Sequence, residues 1–66
     1  MISAGLKEQL IKHHEEEVKD HDLYCELRDE LRKEGHYHEA GMIHDIAQEE
    51  LTHARILKEI VDKTSR

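Results

Sequence analysis

The chain has 66 residues, 36% hydrophobic and 39% charged, with two Tyr and neither Phe nor Trp; this suits one domain whose small core needs a disulfide, a metal or a partner subunit. A single cysteine, Cys25, excludes an internal disulfide, and a lone thiol with no apolar signal segment or membrane-length run points to a reducing cytoplasm. The net charge of −6, with Lys and Arg scattered rather than striped, argues against nucleic-acid and anionic-membrane partners.

Leu, Glu, Lys, Ala and Arg dominate, Pro is absent and no strand-type alternation occurs, so the chain reads as helix. Gly35, after the charged stretch LRDELRKE, is the one convincing interior stop, because glycine takes the left-handed conformation that closes a helix. The pattern predicts a first helix over about 4–34 and a second over about 37–63, an antiparallel hairpin. Gly41 lies early in the second helix and costs it about 1 kcal/mol against Ala, unless a small residue is needed there for close packing.

Steps of three and four along the first helix pick out Leu6, Leu10, His14, Glu17, His21, Tyr24, Arg28 and Leu31, flanked by Ile11, Val18, Cys25 and Leu27. Along the second they pick out Ile43, Ile46, Glu50, His53, Leu57 and Ile60, flanked by Ala47, Ala54 and Val61. Both seams are interrupted in the middle by ionisable residues. A lone hairpin buries one face of each helix and leaves the rest wet. Two hairpins make a four-helix bundle, and a twofold homodimer is the economical assembly.

Glu-x-x-His occurs once, at Glu50–His53; in so Glu- and His-rich a chain about one such pair arises by chance, so the tetrapeptide alone says little. Its placement says more. Glu17 lies 18 residues before Gly35, and Glu50 and His53 lie 15 and 18 after it, which puts all three at one level, ~22–27 Å from the turn. A second hairpin related by a perpendicular twofold would bring its own three residues to that level. Unpaired carboxylates at a buried seam are too costly to keep ionised, and two divalent cations would neutralise four of them. Glu from two helices with Glu-x-x-His from two others is the di-iron or di-manganese carboxylate pattern, which zinc would also satisfy.

The stretch from Glu17 through Tyr24 and RKEG (residues 32–35) to EELTHARIL (residues 49–57) resembles the first helical pair of the rubrerythrin branch of the ferritin-like superfamily. The resemblance covers most of the chain, including the separation of Glu17 from Glu50. It implies Glu17 as a terminal ligand, Glu50 as a metal-bridging carboxylate, His53 as a terminal imidazole and Tyr24 as a tyrosine beside the site. It further implies two iron ions per homodimer, with oxidation of Fe²⁺ by dioxygen or reduction of peroxide. Rubrerythrins carry both helical pairs in one chain and usually a Cys-ligated rubredoxin domain; this chain has one pair and no Cys-x-x-Cys. Encapsulated ferritins share the half-bundle design, but no shell-targeting tail is visible after Ser65, so the expectation is a cytoplasmic protein, as a dimer or a larger oligomer of dimers.

His21, four residues after Glu17, is either an extra ligand, a hydrogen-bond partner of a carboxylate, or solvated, and His14 is similar one turn the other way. Glu16 replaces Glu17 if the register slips by one. His13, His36, His38 and His44 read as surface residues, and Glu49 as facing outward towards Arg55 or a neighbouring subunit. Tyr24 is expected to fill core space and to find a partner for its hydroxyl, and Cys25 to act as a small buried apolar residue. The competing function is a non-catalytic helical dimerisation module with incidental or non-redox metal.

Overall fold

The computed structural model describes residues 2–64, which form two helices and no strand: α1 spans Ala4–Lys33 and α2 spans Tyr37–Thr64. Both boundaries fall within a residue of the expected ones, and their chemistry is local. Ser3 caps α1, its Oγ accepting from the Leu6 N–H at 3.2 Å while its carbonyl accepts from Lys7 N–H at 3.0 Å. Arg32 and Lys33 in the last turn lie at the negative end of the helix dipole. Gly35 then adopts φ 83°, and two bonds close the end: Gly35 N–H to Arg32 O at 3.0 Å and His36 N–H to Leu31 O at 2.8 Å. The His36 carbonyl starts α2 by accepting from Ala40 N–H at 2.9 Å.

Gly35 and Gly41 are therefore opposite cases. Gly35→Ala should lower thermal stability by about 1–2 kcal/mol, the cost of the left-handed conformation to an L-residue. Gly41 sits inside α2, and a Cβ there meets nothing within 4 Å. No close packing depends on it, so Gly41→Ala should raise stability by about 1 kcal/mol. Thermal melts of the two variants check this, and a stabilising Gly35→Ala would contradict the capping account.

The helices lie side by side in a rod of 49 × 14 × 11 Å. Its radius of gyration, 15.1 Å, exceeds the about 11 Å of a compact domain of this length, because a single layer of two helices encloses no interior. The only fully buried residues among those described are Ala40, Ala47 and Ala54, spaced by seven along α2. Against that row α1 sets Lys7, Leu10, His14, Glu17, His21, Tyr24, Arg28 and Leu31, all half-buried and alternately three and four apart, the spacing of a coiled-coil seam.

The α1 seam is the expected one, except that Lys7 rather than Leu6 lies in it; Leu6 is 53% exposed. In α2 the expected centre is corrected. The alanine row is the axis, Ile43, Glu50 and Leu57 flank it, and Ile46, His53 and Ile60 lie one step further round, on the open side. Small side chains let the backbones approach; the larger Ile46 and Ile60 stay exposed.

That close approach is fastened by two equivalent bonds. His14 Nδ1 lies 2.8 Å from Ala54 O and His21 Nδ1 lies 2.7 Å from Ala47 O. A carbonyl only accepts, so each Nδ1 carries the proton and donates. Both histidines are seven apart, as are both alanines, so one clasp is repeated along the antiparallel seam. A third contact near the turn has the reverse chemistry: Arg28 Nη1 donates to His44 Nδ1 at 2.9 Å. His44, expected at the surface, is thus half-buried and bonded through an unprotonated nitrogen.

Candidate metal centre

Midway along the rod the seam turns acidic. Glu17 comes from α1 and Glu50 from the flank of the alanine row, while His53, three residues on in α2, stands at the rim. One donor atom from each lies within 4.8 Å of the others, and together they form a cluster that could hold a metal ion. His53 Nδ1 is 3.7 Å from Glu17 Oε2, beyond a hydrogen bond. Glu17 Oε2 is shut off from solvent and has no hydrogen-bond partner, the condition that a cation would relieve. The side chain of Glu17 is 26% exposed and that of His53 55%, so the cluster opens to one side of the rod.

The carboxyl of Glu50 is pushed above its ordinary range. The largest cause is the neighbouring Glu17 carboxyl, to which a protonated Glu50 would donate a hydrogen bond; desolvation follows, then the negative charges of Glu17 and Asp20, with His53 opposing. Two acids crowded against each other in this way favour the protonated form of Glu50.

All three expected ligands are therefore brought together by the fold. The other expected roles fare differently. Glu16, the alternative for a shifted register, is exposed and lies 3.6 Å from His13 Nδ1 instead. His21 is corrected: its Nδ1 is engaged by Ala47 O, and its Nε2 lies 3.6 Å from Cys25 Sγ, so it neither joins the cluster nor holds a carboxylate. With Nδ1 protonated, a neutral ring accepts the Cys25 thiol proton at Nε2; Cys25 is half-buried rather than fully buried. His14 is likewise taken up by Ala54 O. Tyr24, expected to fill core space, is only half-buried, and its hydroxyl has no partner among the described residues.

Asp20 was not singled out by the sequence. It stands one turn after Glu17, near enough for its charge to act on Glu50, and its signal was the seven-residue step to His13 and Leu27 on either side.

Fold and cluster together define an antiparallel helical hairpin bearing a Glu–Glu–His site fit for a metal ion. No family model matches the chain, and no characterised protein or solved structure matches it at a significant level. No helix among the described residues is long and apolar enough to cross a membrane.

Proposed function

We propose that the chain is a di-iron carboxylate protein whose metal centre is completed by a second copy, giving a four-helix bundle of the ferritin-like, rubrerythrin type. The observation that carries this is the cluster itself: two carboxylates and an imidazole converge within 4.8 Å, one carboxylate oxygen is buried without a partner, and the opening lies on an unpaired face. One copy supplies three donors, and a six-coordinate metal needs more. Two copies supply four carboxylates and two imidazoles, which balance the charge of two divalent ions.

Within that centre Glu50, which stands beside Glu17 and one helical step from His53, would be the carboxylate shared between metals. Glu17 and His53 would close the set at its two ends. A pair of Fe²⁺ ions held there would supply two electrons, one from each, enough with two protons from solvent to reduce one peroxide to two waters or to begin the reduction of dioxygen. Oxygen-rich ligands with one imidazole suit iron and manganese, and zinc would fill the same site without redox chemistry. Tyr24 lies two turns from Glu17 on the same row, with its hydroxyl free to meet a partner from the second copy.

A metal-independent dimerisation module is the second reading, favoured by the large apolar side chains left exposed on both helices. Anaerobic titration with Fe²⁺ separates the two. The di-iron reading expects about one iron per chain and an absorbance rise near the ultraviolet edge when dioxygen is admitted. Iron uptake no greater than that of a Glu17→Ala, Glu50→Ala variant would overturn it.

A further inference from the structure

Four rows of residues at seven-residue steps make up the side of the rod onto which the cluster opens: Leu6–His13–Asp20–Leu27 and Leu10–Glu17–Tyr24 from α1, Ile43–Glu50–Leu57 and Ile46–His53–Ile60 from α2. Each row is polar at its centre and apolar at both ends, so each reads alike in either direction. The outermost members are the exposed ones: Leu6 is 53%, Leu27 46%, Ile46 37% and Ile60 40% exposed. A face with this inverted symmetry is matched by its own copy turned end over end about a twofold through the cluster. The distribution of charge selects the same orientation. The turn end, residues 26–45, carries six Asp and Glu against three Lys and Arg, while the open end, residues 2–12 and 54–64, carries five Lys and Arg against three Asp and Glu. An inverted copy therefore sets opposite signs together, and a parallel one sets like on like.

The same rows hold no Lys or Arg. Docking two copies brings Glu17, Asp20 and Glu50 of each into one enclosed zone with no fixed positive charge, while the apolar ends draw the copies together. Attraction at the ends and repulsion in the middle make the balance depend on whatever neutralises the middle. We propose that pairing of two copies across these rows is gated by divalent cation: metal-free chains stay apart, and a divalent ion at the Glu17–Glu50–His53 cluster licenses the antiparallel dimer. This gate rests on the reading of the cluster as a shared metal centre.

Sedimentation velocity of the full chain, in chelator and with Mn²⁺ as a redox-silent probe, tests it, with bound Mn²⁺ measured on the same samples. The gate expects monomer in chelator, whether helical or melted by circular dichroism, and dimer with Mn²⁺, a tightening of about 100-fold or more in the dimer dissociation constant. Glu17→Gln, Glu50→Gln together remove four of the six facing charges, and this variant should dimerise without metal. Wild-type dimer persisting in chelator overturns the gate and leaves a shared metal centre intact. Mn²⁺ bound by a chain that stays monomeric overturns the gate and the sharing of the centre, leaving only a half-site. No Mn²⁺ bound by the wild type overturns both readings, and a monomeric double Gln variant overturns the role of carboxylate repulsion.

Discussion

Replacing Glu50 by Gln is expected to abolish paired metal binding, weakening affinity by about 100-fold or more, since the ligand proposed to be shared loses its charge and a ligand oxygen. The same substitution should stabilise the metal-free chain at neutral pH. The sign follows from the raised Glu50 carboxyl. A group whose folded value lies above its unfolded one contributes stability that is fully present below the unfolded value, ordinarily 4.5, and lost as pH rises through the folded value. As pH rises the wild type loses that contribution, whereas Gln keeps an uncharged, hydrogen-bonding side chain. The advantage of Glu50→Gln should therefore shrink as pH falls and vanish below about 4.5. Chemical denaturation in chelator across this range checks it. Loss of stability in Glu50→Gln at neutral pH would mean that the carboxylate is satisfied without metal, against the argument from the orphaned Glu17 oxygen.

The second large effect concerns the exposed rows. Ile46→Asp with Leu27→Asp should break the proposed pairing in the presence of metal, raising the dimer dissociation constant by at least about 100-fold. Each replaced side chain forfeits about 1.5–3 kcal/mol of apolar burial in the dimer and adds a carboxylate to an already acidic interface. In a lone hairpin the same positions are half open, Ile46 at 37% and Leu27 at 46% exposure, and surface changes of this kind usually fall within about 0.5 kcal/mol. A variant that still sediments as wild type with Mn²⁺ would show that these rows face solvent in the working protein.

The hairpin was legible because its boundaries are set locally. Gly35 after a basic last turn, and the absence of any other breaker of that strength, fix two helices of near-equal length, and the levels of Glu17, Glu50 and His53 then follow from counting residues from the turn. The α1 seam was legible too, since its three-and-four spacing has one solution from Leu10 to Leu31. The α2 axis was not. Stepping along the largest apolar residues leads to Ile43, Ile46 and Ile60, whereas the contact within the hairpin is made by the smallest, Ala40, Ala47 and Ala54. Close backbone approach rewards small side chains, and the seven-residue alanine spacing was the signal for it.

The histidines show the other limit. Periodicity places His14 and His21 on the seam but does not say that an imidazole opposite an alanine reaches the carbonyl behind it, at 2.8 and 2.7 Å. Nor does it distinguish His44, which accepts from Arg28, from His13, which stays in solvent beside Glu16. Those assignments depend on the helix separation, which the alanine row sets. Of four candidate ligands, the three that meet do so because their levels agree; His21, at a neighbouring level, is claimed by the backbone first.

The central claim is that Glu17, Glu50 and His53 from two chains surround one pair of metal ions. Anomalous diffraction from crystals grown with Mn²⁺ addresses it directly. Two peaks about 3.5–4 Å apart, set between two antiparallel hairpins and each contacted by these three side chains, are the expected result. Metal bound elsewhere, or hairpins packed with these residues turned to solvent, would contradict it.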